Sequence, residues 1–294
     1  MSSLVIDDFL NANPAFVHRM ITTNSSLSLA RMIYRRAMAL LGIYKLQRML
    51  EGGLPQPLQT PLEFLFARKL SHEAQQAVER VELIRSVVAH QTRLYEVVNP
   101  HDSDPKRTAA QIAHRSSVTS EWGTFLYLCA ESFRSRTILE LGSCAGISGC
   151  YLASSRYCTK FITVEGSESL ASLAKSNIDR ISDRGEVVNA LFDDALDQIL
   201  PTLGGGVDLV YIDGHHEYEA TLHYFRRLKL HLNKGALVVF DDVHWSDGMW
   251  QAWQALKELE GFSYTIDAGR FGICLWEGAS ILPIHYDLRR YLGW

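Results

Sequence analysis

Residues 137–148 read TILELGSCAGIS, an apolar run that contains one acid, Glu140, and continues into two glycines, Gly142 and Gly146. The run is typical of a buried parallel strand, and helical spacing begins at Ile147. Glycine adopts positive φ readily and lets a ligand approach the backbone closely. The stretch therefore predicts a strand, a ligand-binding turn and a helix, which together form the first unit of an α/β fold.

Strands and helices alternate from this stretch onward. Four more apolar runs follow, separated by helical patterns, at residues 161–164, 187–191, 207–212 and 236–240. Two last strands, at 262–267 and 272–276, are joined by Ala-Gly-Arg-Phe and predict a hairpin. We predict a Rossmann-like, mostly parallel seven-stranded sheet with a C-terminal antiparallel hairpin.

The region before this sheet has a helical pattern. Residues 28–50 and 61–98 show helical spacing, 100–105 form a polar break, and a helix at 117–133 leads into the first strand. We predict an N-terminal helical region at 1–116 and a ligand-binding domain at 117–294.

The helix at 28–50 carries five arginines or lysines and no acid. It could cover a ligand pocket, pack against a second subunit, lie on an anionic membrane or be a solvated helix with one packed face. We expect a helical cap or a contact in a homodimer or larger oligomer, with membrane contact a minor option.

Composition excludes several classes of protein. The 294 residues are 47% hydrophobic and 21% charged, which argues against a disordered chain and a polytopic membrane protein. The net charge of -4 does not suggest a nucleic-acid binder. Five cysteines without C-x-x-C spacing and an N-terminus without signal-peptide features predict a cytoplasmic protein whose cysteines are buried.

The first turn does not fit a dinucleotide. Its glycines are spaced G-x-x-x-G rather than G-x-G-x-x-G, and Glu140 would repel a pyrophosphate but suits a cationic ligand. Glu165 ends the second strand, where a carboxylate can accept both hydroxyls of a ribose. A nicotinamide oxidoreductase is therefore disfavoured.

Three acids follow the fourth and fifth strands. Asp213 ends one strand, and Asp241 and Asp242 end the next. Ligands of open parallel sheets bind beyond the carboxyl ends of the strands, and clustered carboxylates there need a cation between them. One such acid would be an ordinary loop cap, whereas three favour Mg²⁺ or another divalent cation.

Residues 138–148, 210–216 and 239–242 resemble the motifs of class I S-adenosylmethionine (SAM) dependent methyltransferases. The resemblance covers about residues 117–276 and is to the metal-dependent O-methyltransferase branch, which includes catechol and macrolide-sugar O-methyltransferases. It implies the same fold and a SAM site. The implied SAM-binding residues are Glu140, Gly142, Ser143, Gly146, Ser148, Glu165, Gly166, Asp194 and Asp213, with Asp193 the rival of Asp194 and helix capping the alternative for both.

The same resemblance implies the chemistry. Asp213, Asp241 and Asp242 would hold the metal, which would orient and activate the acceptor hydroxyl. The stretch 213–216, Asp-Gly-His-His, places His216 as the base beside Asp213. The chain has Asp-Asp where catechol-type enzymes often have Asp-Asn, and it lacks their lysine base, which argues against a catechol acceptor.

Other polar and aromatic residues have weaker assignments. His215, His244 and Trp245 are expected to line the acceptor pocket. Trp250 and Trp253 are expected to pack in the core or at an interface. Arg270, between the hairpin strands, is expected to be an exposed turn residue, with contact to an anionic substrate as the alternative.

The sequence as a whole predicts a SAM-dependent O-methyltransferase that acts on a hydroxyl of a small molecule. The alternatives are a metal-independent N- or O-methyltransferase and a non-catalytic SAM-binding scaffold. Nothing in the sequence identifies the acceptor.

Overall fold

The computed structural model describes residues 26–97 and 106–293. Its centre is an eight-stranded sheet, and its strands are β3 (Thr137–Leu141), β4 (Lys160–Glu165), β5 (Gly185–Asn189), β6 (Val207–Ile212), β7 (Leu232–Phe240), β8 (Phe262–Asp267), β9 (Gly272–Trp276) and β10 (Ile284–Asp287). The spatial order is β10-β8-β9-β7-β6-β3-β4-β5, and only β9 runs antiparallel to its neighbours. The predicted α/β architecture with a closing hairpin is confirmed.

Helices connect the strands on both faces of the sheet. They are α5 (Ser120–Ser132), α6 (Ile147–Ala153), α7 (Glu168–Ile178), α8 (Phe192–Ile199), α9 (Tyr218–Leu228), α10 (Asp247–Lys257) and α11 (Arg289–Leu292). The central strands β3, β4 and β6 are buried on both faces, which explains their nearly continuous apolar sequences.

The sheet has one strand more than predicted. β10 pairs in parallel with β8 at the edge, from Ile284 opposite Tyr264 to Asp287 opposite Asp267. Its four residues, Ile-His-Tyr-Asp, are too short and too polar to be recognised as a strand. The third strand lies two residues earlier than predicted, at Gly185–Asn189 rather than 187–191.

The N-terminal region is helical with a small hairpin. It contains α1 (Ser26–Glu51), α2 (Gln59–Ala67), α3 (His72–Ala89), β1 (Leu94–Glu96), β2 (Lys106–Thr108) and α4 (Ala109–Gln111) followed by a π-helical turn at Ile112–Ser116. The helix predicted at 28–50 is confirmed. The single helical stretch predicted at 61–98 is wrong, because Arg68 adopts left-handed φ of 55° and ends α2, and Ser71 caps a separate α3.

The N-terminal helices share a core with the sheet. Leu46, Leu62 and Val81 belong to the same buried cluster as Tyr211 on β6 and Leu288 near the C-terminus. The Tyr264 hydroxyl donates to the Gly53 carbonyl at 2.8 Å, which joins the end of α1 to β8. The domain boundary at 116/117 stays a prediction.

Two expectations concern residues outside the described ranges: the features of the first residues and the break at 100–105. All five cysteines are free; four are buried and Cys144 is partly buried. Among the described residues, no helix combines the length and the apolar character needed to cross a lipid bilayer.

Candidate active site

The predicted site residues lie at the carboxyl ends of the parallel strands. β3 pairs with β4 on one side and with β6 on the other, and β7 follows β6. The connections after β3 and β6 therefore diverge, which leaves a crevice at this edge of the sheet, the usual binding position in open α/β folds. After the roles that the sequence predicts, we call the β3–β4 side, with Glu140, the 142–146 turn and Glu165, the cofactor half. We call the β6–β7 side, with Asp213, Asp241 and Asp242, the acceptor half.

The turn after β3 depends on Gly142. Gly142 has φ of 102°, and a Cβ atom there would lie 1.9 Å from the Asp213 carbonyl oxygen. The Asp213 amide donates to the Leu141 carbonyl at 2.8 Å. The two halves thus meet in backbone contact at Gly142, and only glycine fits.

Gly146 ends the turn and begins α6. Its φ is 76°, and an added Cβ would lie 2.8 Å from the Ala174 Cα atom. Ser143 and Ser148 are both buried, and the Ser143 hydroxyl lies 2.5 Å from the Thr163 hydroxyl. The turn between the two glycines is therefore fixed by close packing against α7 and by hydrogen bonds beneath it.

Glu140 lies on β3 under this turn and is fully buried. The Thr163 hydroxyl donates to its Oε2 at 2.6 Å, while Oε1 has no hydrogen-bond partner among the described residues. Burial raises the pKa of Glu140 from 4.5 to about 7; hydrogen bonds from Ser148 and Thr163 oppose the rise, and the nearby Glu165 carboxylate adds to it. Such an acid with an unused acceptor oxygen suits a site for a cationic ligand.

Glu165 lies at the end of β4, as predicted. Oε2 accepts from the Cys144 amide at 2.8 Å and Oε1 accepts from the Ser167 amide at 2.9 Å. Burial raises the pKa of Glu165, and these backbone hydrogen bonds oppose the rise. The neighbouring backbone amides, including that of Gly166, thus hold the carboxylate in place, and its roughly four acceptor positions leave room for a ribose hydroxyl.

Asp193 and Asp194 lie in the first turn of α8, and neither caps it, because the residue at the cap position is Leu191. Asp193 pairs with His223 at 2.7 Å and with Arg227 at 2.8 Å on α9. Asp194 is exposed and makes no such contact within the described residues. The geometry leaves Asp194 the freer of the two for a ligand.

These features fit SAM. The turn at 142–146 approaches a ligand through backbone alone, Glu165 keeps acceptor positions for a ribose, and the Glu140 oxygen has no partner. Gly166 follows Glu165 and is partly exposed. The assignment of individual residues to SAM stays a prediction.

The acceptor half begins with Asp213 and Tyr211. The buried Tyr211 hydroxyl lies 2.8 Å from Asp241 Oδ2 and 3.2 Å from Asp213 Oδ2, and so links the ends of β6 and β7. Burial raises the pKa of Asp213 well above its usual range, and the charges of Asp241 and Asp242 add to the rise. The predicted convergence of Asp213 and Asp241 is present.

Arg270 contacts the same acids. Its Nε donates to Asp241 Oδ1 and its Nη2 to Asp241 Oδ2, each at 2.7 Å, and Nε lies 3.6 Å from Asp242 Oδ1. The side chain is 20% exposed. The expectation of an exposed turn arginine is wrong, because the hairpin register places Gly272 opposite Phe240 and so places Arg270 beside the acids that follow β7.

Asp242 is the more exposed of the pair after β7, with 28% of its side chain accessible and φ of 52°. Burial raises its pKa, the Asp241 charge adds to this, and the charges of Arg270 and His216 oppose it. Within residues 26–97 and 106–293, no three His, Cys, Asp or Glu side chains are arranged to hold a metal ion. The magnesium site stays a prediction.

The three histidines near the site have different partners. His216 Nε2 lies 3.5 Å from Asp213 Oδ1. His215 Nδ1 lies 2.7 Å from the Tyr224 hydroxyl, and its ring stacks on Tyr224. His244 Nε2 lies 2.9 Å from Asp267 Oδ2. His216 thus lies beside one of the three clustered acids, and its role as the base stays a prediction.

The aromatic residues separate into core and surface. Trp253 is fully buried and donates its Nε1–H to Asp267 at 3.0 Å. The Trp250 ring packs on His244 with centroids 4.8 Å apart. Trp245 is 73% exposed in the loop after β7. Its predicted place in the acceptor pocket stays a prediction.

Sequence reasoning missed three polar residues of the site, Thr163, Tyr211 and Asp267, and also the contact that Arg270 makes with Asp241. For Thr163 and Tyr211, the sequence does offer a signal, because each is a polar side chain within the largely apolar sequence of β4 or β6. A cavity of about 670 Å³ lies elsewhere, between α3 and α5, and is lined by residues such as Arg80, Leu83 and Arg156.

Comparison with known proteins finds similarity over this part of the chain. Residues 139–243 match the model of a methyltransferase domain family. This span begins on β3 and ends directly after Asp242, so it includes both halves of the crevice.

Two curated relatives are catechol O-methyltransferases. The protein from Mycobacterium tuberculosis is 36% identical over 151 residues, which are 48% of this chain and 66% of that protein. The protein from Niastella koreensis is 30% identical over 130 residues, which are 43% of this chain and 58% of that protein. The matched regions thus span less than two thirds of these relatives.

A solved structure shares the fold. The O-methyltransferase from Bacillus cereus in complex with SAH superposes with a TM-score of 0.50 at 22% identity, covering 69% of this chain and 91% of that one. The matched domain and the curated relatives agree with the motifs. Residues 139–243 therefore form a methyltransferase domain, and the chain is similar to SAM-dependent O-methyltransferases.

Proposed function

We propose that this protein transfers the methyl group of SAM to a hydroxyl oxygen of a small molecule, with His216 as the general base. The observation that carries the proposal is the position of His216, whose Nε2 lies 3.5 Å from Asp213 Oδ1 at the end of β6, across the turn at Gly142 from the cofactor half. The names of the two catechol O-methyltransferase relatives support oxygen as the acceptor atom.

The chemistry of the donor is simple. The acceptor oxygen supplies the electron pair of the new C–O bond, the C–S bond breaks with its pair going to the positively charged sulfur, and the hydroxyl proton leaves to a base. The protein has to align the oxygen with the methyl carbon, exclude water and accept this proton, so positioning supplies much of the rate.

The residues of this chain divide those tasks. Glu165 and the 142–146 turn hold the donor, and Asp213 orients His216 through the 3.5 Å contact. His216 accepts the proton at Nδ1, the ring nitrogen that does not face Asp213, and passes it to water, since 30% of its side chain is exposed. His244 and Trp245 follow β7 and stay candidate residues of the acceptor pocket.

The predicted magnesium ion is not part of this proposal. Asp241, one of its three expected ligands, accepts hydrogen bonds from Arg270, Tyr211 and the Asp242 amide. A divalent cation needs carboxylate oxygens that are free to bind it. The arrangement of Asp241 does not fit that role, so no step is derived through a metal.

The test uses two adjacent histidines. Both His216 and His215 have positive φ, of 41° and 61°, and asparagine tolerates that conformation. We expect His216→Asn to lower kcat about 100-fold or more and to remove the acidic limb of the pH profile. His215→Asn is the matched control and should change kcat less than about tenfold.

Calorimetry and product analysis complete the test. The protein should bind SAM but not NAD, and a panel of phenols, sugars and amines should yield methylated oxygen with release of the thioether product. Methylation of amines alone, SAM binding without transfer to any acceptor, or an unchanged pH profile in His216→Asn would each contradict the proposal. We also propose that the protein forms a homodimer or a larger assembly and is cytoplasmic, and that residues 1–116 cap the acceptor pocket.

A further inference from the structure

Arg270 occupies the centre of the acceptor half. Two of its nitrogens bind the two oxygens of Asp241, each at 2.7 Å, and Nε also lies 3.6 Å from Asp242. Asp213, the third acid, is linked to Asp241 through the Tyr211 hydroxyl. A positive charge is therefore already present where three carboxylates approach one another.

The acceptor positions of Asp241 are full. Oδ1 accepts from Arg270 Nε and from the Asp242 amide at 2.8 Å, and Oδ2 accepts from Arg270 Nη2 and from the Tyr211 hydroxyl at 2.8 Å. A carboxylate offers about four lone-pair positions, and protein donors use all of them. A metal ion could bind Asp241 only by displacing one of these groups.

The hairpin fixes the Arg270 backbone. Its carbonyl accepts from the Val243 amide at 3.2 Å, and the Ala268 amide donates to the Phe271 carbonyl at 2.9 Å. The neighbouring Phe271 is fully buried and packs on Trp122, with ring centroids 4.7 Å apart. Arg270 is thus held from both sides and belongs to the site.

The guanidinium also keeps donors for a ligand. A guanidinium has five N–H groups in a planar fork. The bonds to Asp241 use Nε and one Nη2 hydrogen, while Nη1 makes no hydrogen bond to the described residues. The side chain is 20% exposed, so part of it is accessible from solvent.

We propose that Arg270 is the resident cation of the acceptor site: its guanidinium neutralises Asp241 and presents Nη1 to the acceptor oxygen, so that methyl transfer proceeds without a divalent metal. This inference rests on the proposed O-methyl transfer. It distinguishes this chain from the metal-dependent enzymes that its acidic motifs resemble. His216 then has to remove the acceptor proton unaided by a metal.

The test measures metal binding directly. Chelator-treated protein is titrated with Mn²⁺ to about 1 mM, a range that covers weak carboxylate sites, and free Mn²⁺ is followed by electron paramagnetic resonance. We expect no bound Mn²⁺ in the wild type or in Arg270→Lys, which keeps a positive charge. Arg270→Ala should bind one Mn²⁺, and adding Asp241→Asn to that variant should abolish the binding.

Turnover provides the second measurement. EDTA and added Mg²⁺ should leave wild-type kcat unchanged. Arg270→Lys should lower kcat about tenfold or more with little change in the KM for SAM, because lysine lacks the planar fork that binds Asp241 and the acceptor together. A role in folding alone would not separate these two constants.

Several results would overturn the inference: one Mn²⁺ bound by the wild type and lost in Asp241→Asn, loss of turnover in EDTA with recovery in Mg²⁺, or a folded Arg270→Ala that binds no Mn²⁺. If Arg270→Ala does not fold, the wild type and Arg270→Lys still decide. Failure of the proposed function is distinct, since it would appear as absent methyl transfer while the Mn²⁺ titration still reports on Arg270.

Discussion

The two halves of the crevice are built in different ways. In the cofactor half, short-range backbone geometry does most of the work: Gly142 and Gly146 have left-handed φ, and Glu165 accepts from two backbone amides. In the acceptor half, side chains from distant segments meet, since Arg270 lies 29 residues from Asp241 and Tyr211 lies 30 residues from it.

This difference explains why the two halves tolerate change differently. Backbone geometry is set by a few glycines within one motif, so a single Cβ atom can block the cofactor half. The acceptor half depends on balanced charges, so it can exchange one cation for another while its acids stay the same. Domains with the same acidic motif can therefore differ in their need for metal.

The largest effect on stability is expected from Arg270→Ala. The change leaves Asp241, whose side chain is 0% exposed, as an uncompensated buried charge. We expect the free energy of unfolding to fall by about 3–5 kcal/mol in urea denaturation. Arg48→Ala is the control, since the Arg48–Glu51 pair is 63% exposed on each side and should contribute less than about 1 kcal/mol. Equal losses in the two variants would mean that the acceptor half is not organised by charge.

Gly142→Ala tests the backbone basis of the cofactor half. The new Cβ would lie 1.9 Å from the Asp213 carbonyl oxygen, at a residue with φ of 102°. We expect a loss of about 3 kcal/mol in unfolding free energy together with loss of SAM binding by calorimetry. Gly204→Ala has open space around the added carbon and should leave both unchanged. Retained SAM affinity in Gly142→Ala would show that the turn can move away from Asp213.

The buried acid beneath that turn predicts a pH dependence. Because burial raises the pKa of Glu140 to about 7, the folded protein keeps a proton that the unfolded chain releases near its pKa of 4.5. The stability from this group is therefore complete below the unfolded pKa and is lost as the pH rises to about 7.

Glu140→Gln should remove this dependence. Between about pH 5 and pH 8, the unfolding free energy of the wild type should fall by about 2–3 kcal/mol more than that of Glu140→Gln. Glu186→Gln, at an exposed position of β5, should follow the wild type. Parallel curves for the wild type and Glu140→Gln would contradict the raised pKa.

Trp245→Ala should have the smallest effect on stability. The side chain is 73% exposed, so the unfolding free energy should change by less than about 0.5 kcal/mol. If Trp245 closes over an acceptor, its loss raises the KM of the acceptor but not that of SAM. An unchanged acceptor KM would remove Trp245 from the acceptor half.

Much of the fold was predictable because local patterns agree with it. The apolar runs of β3, β4 and β6 are buried on both faces, and the four residues between β8 and β9 form the predicted turn. Two features of the fold were not predictable from local patterns. β10 is short and polar, and it pairs because Leu288 and the preceding residues pack beside α1. The break between α2 and α3 depends on the left-handed conformation of Arg68.

The candidate site was predictable to a similar degree. The acids at strand ends were identifiable because parallel strands bring their carboxyl ends to one edge. The contact that each side chain makes was not identifiable from the sequence. His244 binds Asp267, His215 binds Tyr224, and Asp193 binds Arg227. These contacts join segments that are separated by 9 to 34 residues and that meet only when helices dock on the sheet.

The sequence by itself determined that the chain forms an α/β sheet with a glycine-dependent turn at 142–146 and acids at the ends of β4, β6 and β7, since periodicity, glycine and strand direction are local properties. The tertiary structure decided what those acids contact. Arg270 reaches Asp241 because β9 pairs antiparallel with β7 and brings the hairpin turn to the carboxyl end of the sheet, a consequence of strand pairing between residues far apart in the chain.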